Sequence, residues 1–162
     1  MIKLISTIIL ATLIMGNGEK YATTRKAVDT VNEFLPANTW DGQYLKSVNL
    51  LELDNIVEFN IRNVGGRAPK SEQDQVSRNE KVKYGAWVIA NFMTAYDYST
   101  KGSGGEGDEE MFKKLGPLLK LMAKNDIGAR LNLEFRKGGT ITIELSPSEL
   151  EKAVMLRKKD FY

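Results

Sequence analysis

Two runs decide how this chain folds: Ala129-Arg130-Leu131-Asn132-Leu133-Glu134-Phe135-Arg136 and Thr140-Ile141-Thr142-Ile143-Glu144-Leu145. Gly138-Gly139 joins them, and Ser146-Pro147-Ser148-Glu149 follows. In the first run Leu131, Leu133 and Phe135 alternate with Arg130, Asn132, Glu134 and Arg136. In the second, Ile141, Ile143 and Leu145 alternate with Thr140, Thr142 and Glu144. Successive side chains of a strand point to opposite faces, so each run has one apolar and one polar face. The paired glycines supply a hairpin turn. Ser146, Pro147 and Glu149 then occupy the N-cap, first and third positions of a helix, which is a capping box. That helix carries Leu150, Ala153, Val154 and Leu156. A strand pair with one apolar face, running straight into a helix, predicts helices packed on that face.

Upstream, Tyr44–Leu53 and Ile56–Arg62 read as a second hairpin around Asp54-Asn55, two residues that tolerate positive φ. A two-residue turn there sets Leu50 against Phe59 and Val48 against Ile61, with Asn49, Glu58 and Asn60 on the other side. Before it, Thr23 to Leu35 has helical spacing through Ala27, Val28, Val31, Phe34 and Leu35, with Thr23 or Thr24 as cap and Pro36 as stop. Val64 to Lys70 reads as a loop. A long helix is expected from Ser71 to Tyr98, apolar over much of its circumference and so central to the core. Residues 99–107 read as a flexible glycine-rich loop. A helix opened by Asp108-Glu109-Glu110 follows, with Met111, Leu115, Leu118, Leu119 and Met122 on one face and Pro117 kinking or restarting it. The expected class is α+β in the order α-ββ-α-α-ββ-α, an antiparallel four-stranded sheet from two hairpins with helices packed on one face. Helix-then-hairpin occurs twice, around 23–62 and 110–145, without the residue identity that would establish a repeat.

The first 18 residues differ from the rest. A basic start at Lys3, an uncharged run from Leu4 to Met15 and the small residues Gly16-Asn17-Gly18 give the layout of a secretory signal peptide. The run is too short for a membrane span of about 20 residues. The expectation is a signal peptide over 1–18, a single α+β domain over 19–162, and an exported protein, periplasmic or secreted. Cleavage after Gly18 would remove only Lys3 from the 23 basic residues and none of the 21 acids.

The 162 residues include no histidine and no cysteine. That excludes Ser-His-Asp and Cys-His triads, thiolate nucleophiles, disulfides and iron–sulfur clusters, and it leaves zinc only carboxylates. It also closes the lipid-anchor route through an N-terminal cysteine. The net charge of +2 is not concentrated into a basic block of the kind that marks nucleic-acid binding, so no nucleic-acid partner is expected.

The apparent motifs have structural explanations. Gly102-Ser103-Gly104-Gly105-Glu106-Gly107 matches the dinucleotide pattern literally, yet follows a helix instead of a strand and precedes three acids where a pyrophosphate would sit. Glu106, Asp108, Glu109 and Glu110 lack the ligand spacing of a calcium loop and read as a helix cap. No cofactor and no metal site is expected. Glu58, Glu134 and Glu144 lie on outward strand faces, where solvated residues also belong. The candidates for a contact surface are the polar sheet face, with Arg130, Asn132, Glu134, Arg136 and Thr142, and the aromatics Trp40, Tyr84 and Trp87, since tyrosine and tryptophan dominate protein contacts.

Val31-Asn32-Glu33-Phe34-Leu35-Pro36, Asn55-Ile56-Val57-Glu58-Phe59 and Ile143-Glu144-Leu145-Ser146-Pro147-Ser148-Glu149-Leu150 resemble stretches of a loose group of small exported proteins from Bacteroidales-type bacteria with no assigned function. The resemblance covers about 23–62 and 118–156 and implies an exported α+β domain, with no catalytic residue to carry over. Composition, motifs and resemblance lead to one expectation: an exported, non-enzymatic domain that binds a protein or an envelope component, as an inhibitor or immunity protein would. The alternatives are a carboxylate-dependent glycan hydrolase and a carrier of a small apolar ligand.

Overall fold

The computed structural model describes residues 18–66, 77–102 and 107–162. The proposed signal segment lies almost wholly outside them, as do most of the loop after Val64 and the centre of the glycine-rich loop. The helices are α1 (18–32), α2 (Arg78–Lys101), α3 (Glu109–Lys124) and α4 (Pro147–Met155). The strands are β1 (Ala37–Asn38), β2 (Tyr44–Leu51), β3 (Ile56–Val64), β4 (Gly128–Phe135) and β5 (Thr140–Leu145). No described helix is long and apolar enough to cross a membrane.

The α+β class holds, but the expected antiparallel four-stranded sheet does not. The strands form one five-stranded mixed sheet in the order β1-β2-β3-β4-β5. β3 and β4, the inner strands of the two hairpins, pair in parallel, with Val57 opposite Ala129 and Ile61 opposite Leu133. Parallel neighbours require a long crossover, and α2 and α3 lie within it. A translational repeat of two helix–hairpin units would make this central pair antiparallel, so the two units are not related by translation alone. The fifth strand, β1, is only two residues long and pairs with Tyr44 and Leu45.

The first hairpin is also reset. Leu51 and Ile56 close it through a 3-10 turn at Glu52–Asp54, with Asn55 left-handed at φ 55°. Four turn residues instead of two slide the register, so Leu50 faces Val57 and Val48 faces Phe59. A slide of two residues keeps every side chain on its own face.

Helix ends follow local chemistry. Ser146 and Glu149 form the expected capping box of α4. The expected start at Ser71 lies outside the described residues, and α2 spans Arg78–Lys101 with Ser77 as its cap: Ser77 accepts the Glu80 N–H, and the Glu80 carboxylate accepts the Ser77 N–H at 3.0 Å. It runs through Ser99 to Lys101, so the expected flexible loop loses its first three residues to the helix. Gly102 caps it at φ 65°, which gives the first glycine of the apparent dinucleotide pattern a structural role. α1 already includes residue 18. Thr23 and Thr24 therefore lie inside it, with hydroxyls donating back to the Glu19 and Lys20 carbonyls instead of capping. α3 passes unbroken through Pro117, and Gly116 beside it lets the Tyr96 ring of α2 lie against the helix.

A single apolar core joins one face of the sheet (Val48, Phe59, Leu131 and Ile143 among them) to α2, α3 and α4, with Val28 and Val31 of α1 in the same cluster. Ile89, Phe92, Met93, Leu115, Leu118 and Leu119 fill the space over the sheet and are fully buried. The opposite face carries Asn49, Glu144, Thr142 and Thr140 exposed, with Ser47, Asn60, Asn132 and Arg130 half-buried. Among the described residues no helix packs over it.

Candidate functional site

The open face is ordered in three rows running across the strands, set by the register. The middle row is Ser47, Asn60, Asn132 and Thr142, one residue each from β2, β3, β4 and β5. Its hydrogen bonds run in one direction. Thr142 Oγ1 donates to Asn132 Oδ1 at 2.9 Å, Asn132 Nδ2 to Asn60 Oδ1 at 3.0 Å, and Asn60 Nδ2 to Ser47 Oγ at 3.0 Å. Dipoles aligned head to tail polarise one another. The Ser47 hydroxyl hydrogen is left to donate at the β2 end, and the Thr142 oxygen is left to accept at the β5 end.

The second row is Asn49, Glu58, Arg130 and Glu144. Arg130 is its hub, 2.8 Å from Glu144, 3.8 Å from Glu58 and 3.5 Å from Asp54 at the hairpin tip. The hydrogen bond to Glu144 holds the guanidinium pKa above its ordinary value against the opposing effect of burial, and the other two acids add to it. Three carboxylates around one arginine make this end of the face acidic.

In the third row Arg62 pairs with Glu134 at 2.9 Å, and Thr140 faces Glu134. Two β-bulges open the sheet here. One places Lys46 as an extra residue in β2, and the other puts an extra residue in β3 before Val64. Bulges re-aim side chains and often sit beside functional sites. Between them lies a shallow polar hollow of about 270 Å³, bounded by Lys46, Ser47, Asn60, Arg62, Asn132, Glu134 and Thr140. Asn63, in the second bulge at φ 60°, donates to the Gly42 carbonyl at 2.5 Å.

The eight residues singled out from sequence fall into two sets. Arg130, Asn132, Glu134 and Thr142 share the open face as neighbours in the rows. Arg136 stands at its rim as a clasp: Nε donates to Asn63 Oδ1 at 3.2 Å and Nη2 to the Asp41 carbonyl at 2.6 Å, tying the end of β4 to the turn before β2. Trp40, Tyr84 and Trp87 lie instead in the helical layer. Trp40 meets Trp87 edge-on at 6.3 Å and Phe92 at 5.3 Å, and Tyr84 lies 5.4 Å from Trp87. Trp40 anchors the turn between β1 and β2 to α2, and burial raises the Tyr84 hydroxyl pKa. Ser47, Asn60, Lys46 and Arg62 join the candidate surface only through the sheet's register and bulges. The signal for Asn60 was present, since it alternates outward with Glu58. Its neighbour Asn132 is supplied by a parallel pairing that no turn announces.

The carboxylates of this face close on arginines instead of on one another. Asp108 caps α3, its Oδ1 accepting the Met111 N–H at 3.2 Å, and no cluster of three acidic residues suited to a metal occurs among the described residues. Comparison with protein-family models, with curated proteins and with solved structures finds no match.

Proposed function

We propose that this chain is an exported binding domain whose open sheet face takes up a protein or an envelope component. One observation carries the reading: a four-strand polar row, Ser47-Asn60-Asn132-Thr142, is hydrogen-bonded in one direction and left uncovered. Side chains already held by their neighbours lose little rotamer freedom on contact, so a surface of this kind binds at low entropic cost. The acidic second row and the bulged third row, with Lys46 and Arg62, give the face a charge gradient along the strands that orients a partner. The layout of the first 18 residues, basic start, uncharged run and small residues, supports the location.

The full chain with a C-terminal tag, expressed in its natural host, tests both parts. Partners retained by the wild type should be lost by Asn132→Arg, which puts a charge into the neutral row without touching the core. The same retained set from both proteins, or none from either, refutes the contact surface. N-terminal sequencing of the recovered protein tests export separately, and a start at Met1 refutes it.

A further inference from the structure

On the helical side, far from the open face in the chain's topology, the last turns of α2 meet a 3-10 helix at Lys158–Phe161 across a groove of about 520 Å³. Four cations line it: Lys101, Arg157, Lys158 and Lys159. One carboxylate, Asp97, lines it with them. That local charge of +3 exceeds the +2 of the whole chain, so the remaining residues together are net negative.

The groove is rigidly built. Arg157 Nε donates to Asp97 Oδ2 at 2.5 Å, and Nη1 donates to the Val154 and Leu156 carbonyls at 3.0 and 2.7 Å. The Lys158 N–H donates to Thr94 Oγ1 at 2.9 Å, and Asp160 accepts the Arg157 N–H at 2.7 Å. These contacts consume Arg157 and neutralise Asp97. Lys101, Lys158 and Lys159 keep no carboxylate partner among the described residues. Lys101 is accounted for by the last turn of α2, where the helix dipole favours a cation. Lys158 and Lys159 belong to the facing element and add repulsion instead of relieving it. Three lysines line one concavity, none of them in an ion pair among the described residues, and the one side-chain carboxylate of the 3-10 helix, Asp160, accepts the Arg157 N–H; together they form a site for a polyvalent anion.

We propose that this groove binds a phosphate-bearing anion. A phosphate monoester carries close to two negative charges near neutral pH and three acceptor oxygens, a better match to three ammonium donors than a carboxylate. The volume leaves room for a substituent beside the phosphate, and the exposed ring of Tyr162 borders that space. Free phosphate esters and phospholipid headgroups share this chemistry.

The full chain is titrated with inorganic phosphate, followed by amide NMR shifts of Lys101, Lys158 and Lys159. In a second arm it is sedimented with vesicles of phosphatidylglycerol and phosphatidylcholine at about 3:7, and of phosphatidylcholine alone. Both arms run at about 0.02 M and about 0.15 M salt, where the Debye length falls to about 8 Å. The comparison variant is Lys101→Gln/Lys158→Gln/Lys159→Gln. It removes no polar contact of the fold, and an unchanged thermal melt confirms that. Saturable binding in either arm that weakens at least about tenfold in the variant and falls with salt is expected, since each lost charge contact removes a charge-assisted bond. Phosphate binding alone identifies a free ester, and binding to the anionic vesicles identifies a headgroup. No saturable binding in either arm, or equal binding by the triple variant, overturns the proposal. The site does not depend on the open face, so Asn132→Arg should leave both arms unchanged.

Discussion

Gly116→Ala pits helix propensity against packing, and the geometry decides the sign. In an exposed helix interior this change stabilises by about 1 kcal/mol. Here a Cβ on residue 116 would stand 2.3 Å from Tyr96 Cγ and 2.4 Å from Cδ2. Ordinary carbon–carbon contact needs about 3.5 Å or more, so the ring or the helix must retreat by more than an ångström. Overpacking of this kind costs about 1–3 kcal/mol. Turning the ring away also gives up the Lys120 ammonium, 4.5 Å from its centre, worth about 0.5–1 kcal/mol at an exposed site. The net expectation is a loss of about 1–2 kcal/mol, or a melting temperature lower by about 3–8 °C for a domain of this size. Urea denaturation with an unchanged m-value measures it. In a Tyr96→Ala background the obstacle is gone, and Gly116→Ala should then stabilise by about 1 kcal/mol. A wild-type background in which Gly116→Ala is neutral or stabilising refutes the reasoning.

Gly107→Ala should cost more, about 3–5 kcal/mol by denaturant titration, because residue 107 has φ 98° and the new Cβ would lie 2.0 Å from the Thr39 carbonyl oxygen, a backbone atom that cannot swing aside; a loss under about 1 kcal/mol speaks against it. Arg130→Gln leaves Asp54, Glu58 and Glu144 facing one another without a cation, and at neutral pH the expected loss is about 1–2 kcal/mol, shrinking at high salt; a loss that is independent of salt contradicts the electrostatic account. Glu149 has its pKa lowered, first by the Ser146 backbone N–H and then, against some burial, by the Ser146 hydroxyl and Arg78. A depressed carboxylate contributes stability above its unfolded pKa and loses it as pH falls through the folded one, so stability should decline as pH drops below about 4.5. Glu149→Gln should flatten part of that decline in pH-dependent urea melts, and an unchanged profile counts against the capping role.

What could be read from sequence was what is local. The Ser146–Glu149 box spans four residues, and its atoms meet within one turn. The β4–β5 hairpin is fixed by its alternation and by Gly138 and Gly139, both at positive φ. The β2–β3 register was displaced because Glu52–Asp54 take a 3-10 turn that Leu51 and Leu53, read as strand residues, gave no cause to expect. The parallel seam was invisible: Glu58 and Arg130 alternate identically whether β3 and β4 are neighbours in parallel or antiparallel. Half of the candidate surface follows from that seam, since Asn60 becomes Asn132's partner only through it. Trp40, Tyr84 and Trp87 are contact candidates by residue type alone, and the ring contacts of Trp40 with Trp87 and Phe92, which join the turn before β2 to α2, are long-range. Arg157-Lys158-Lys159 is visible as three consecutive cations, but Lys101 and the neutralised Asp97 that shape the groove lie nearly sixty residues earlier.

The parallel β3–β4 pair has a consequence for the order in which the chain assembles. Hairpin β2–β3 closes over the four residues 52–55 between Leu51 and Ile56, whereas the closest pair of the seam, Val64 and Phe135, encloses the 70 residues 65–134. Loop-closure entropy grows as about (3/2)RT ln n, which puts the seam about 2.5 kcal/mol behind the hairpin before any contact compensates. Two hairpins that form early must wait for their inner edges to meet. The polar row on the open face is complete only when that last meeting occurs, so the proposed binding surface exists only in the fully folded chain. Trimming Phe59 or Leu131 at the seam should then speed unfolding and leave the folding rate nearly unchanged, and a matching drop in the folding rate would show that the seam forms first.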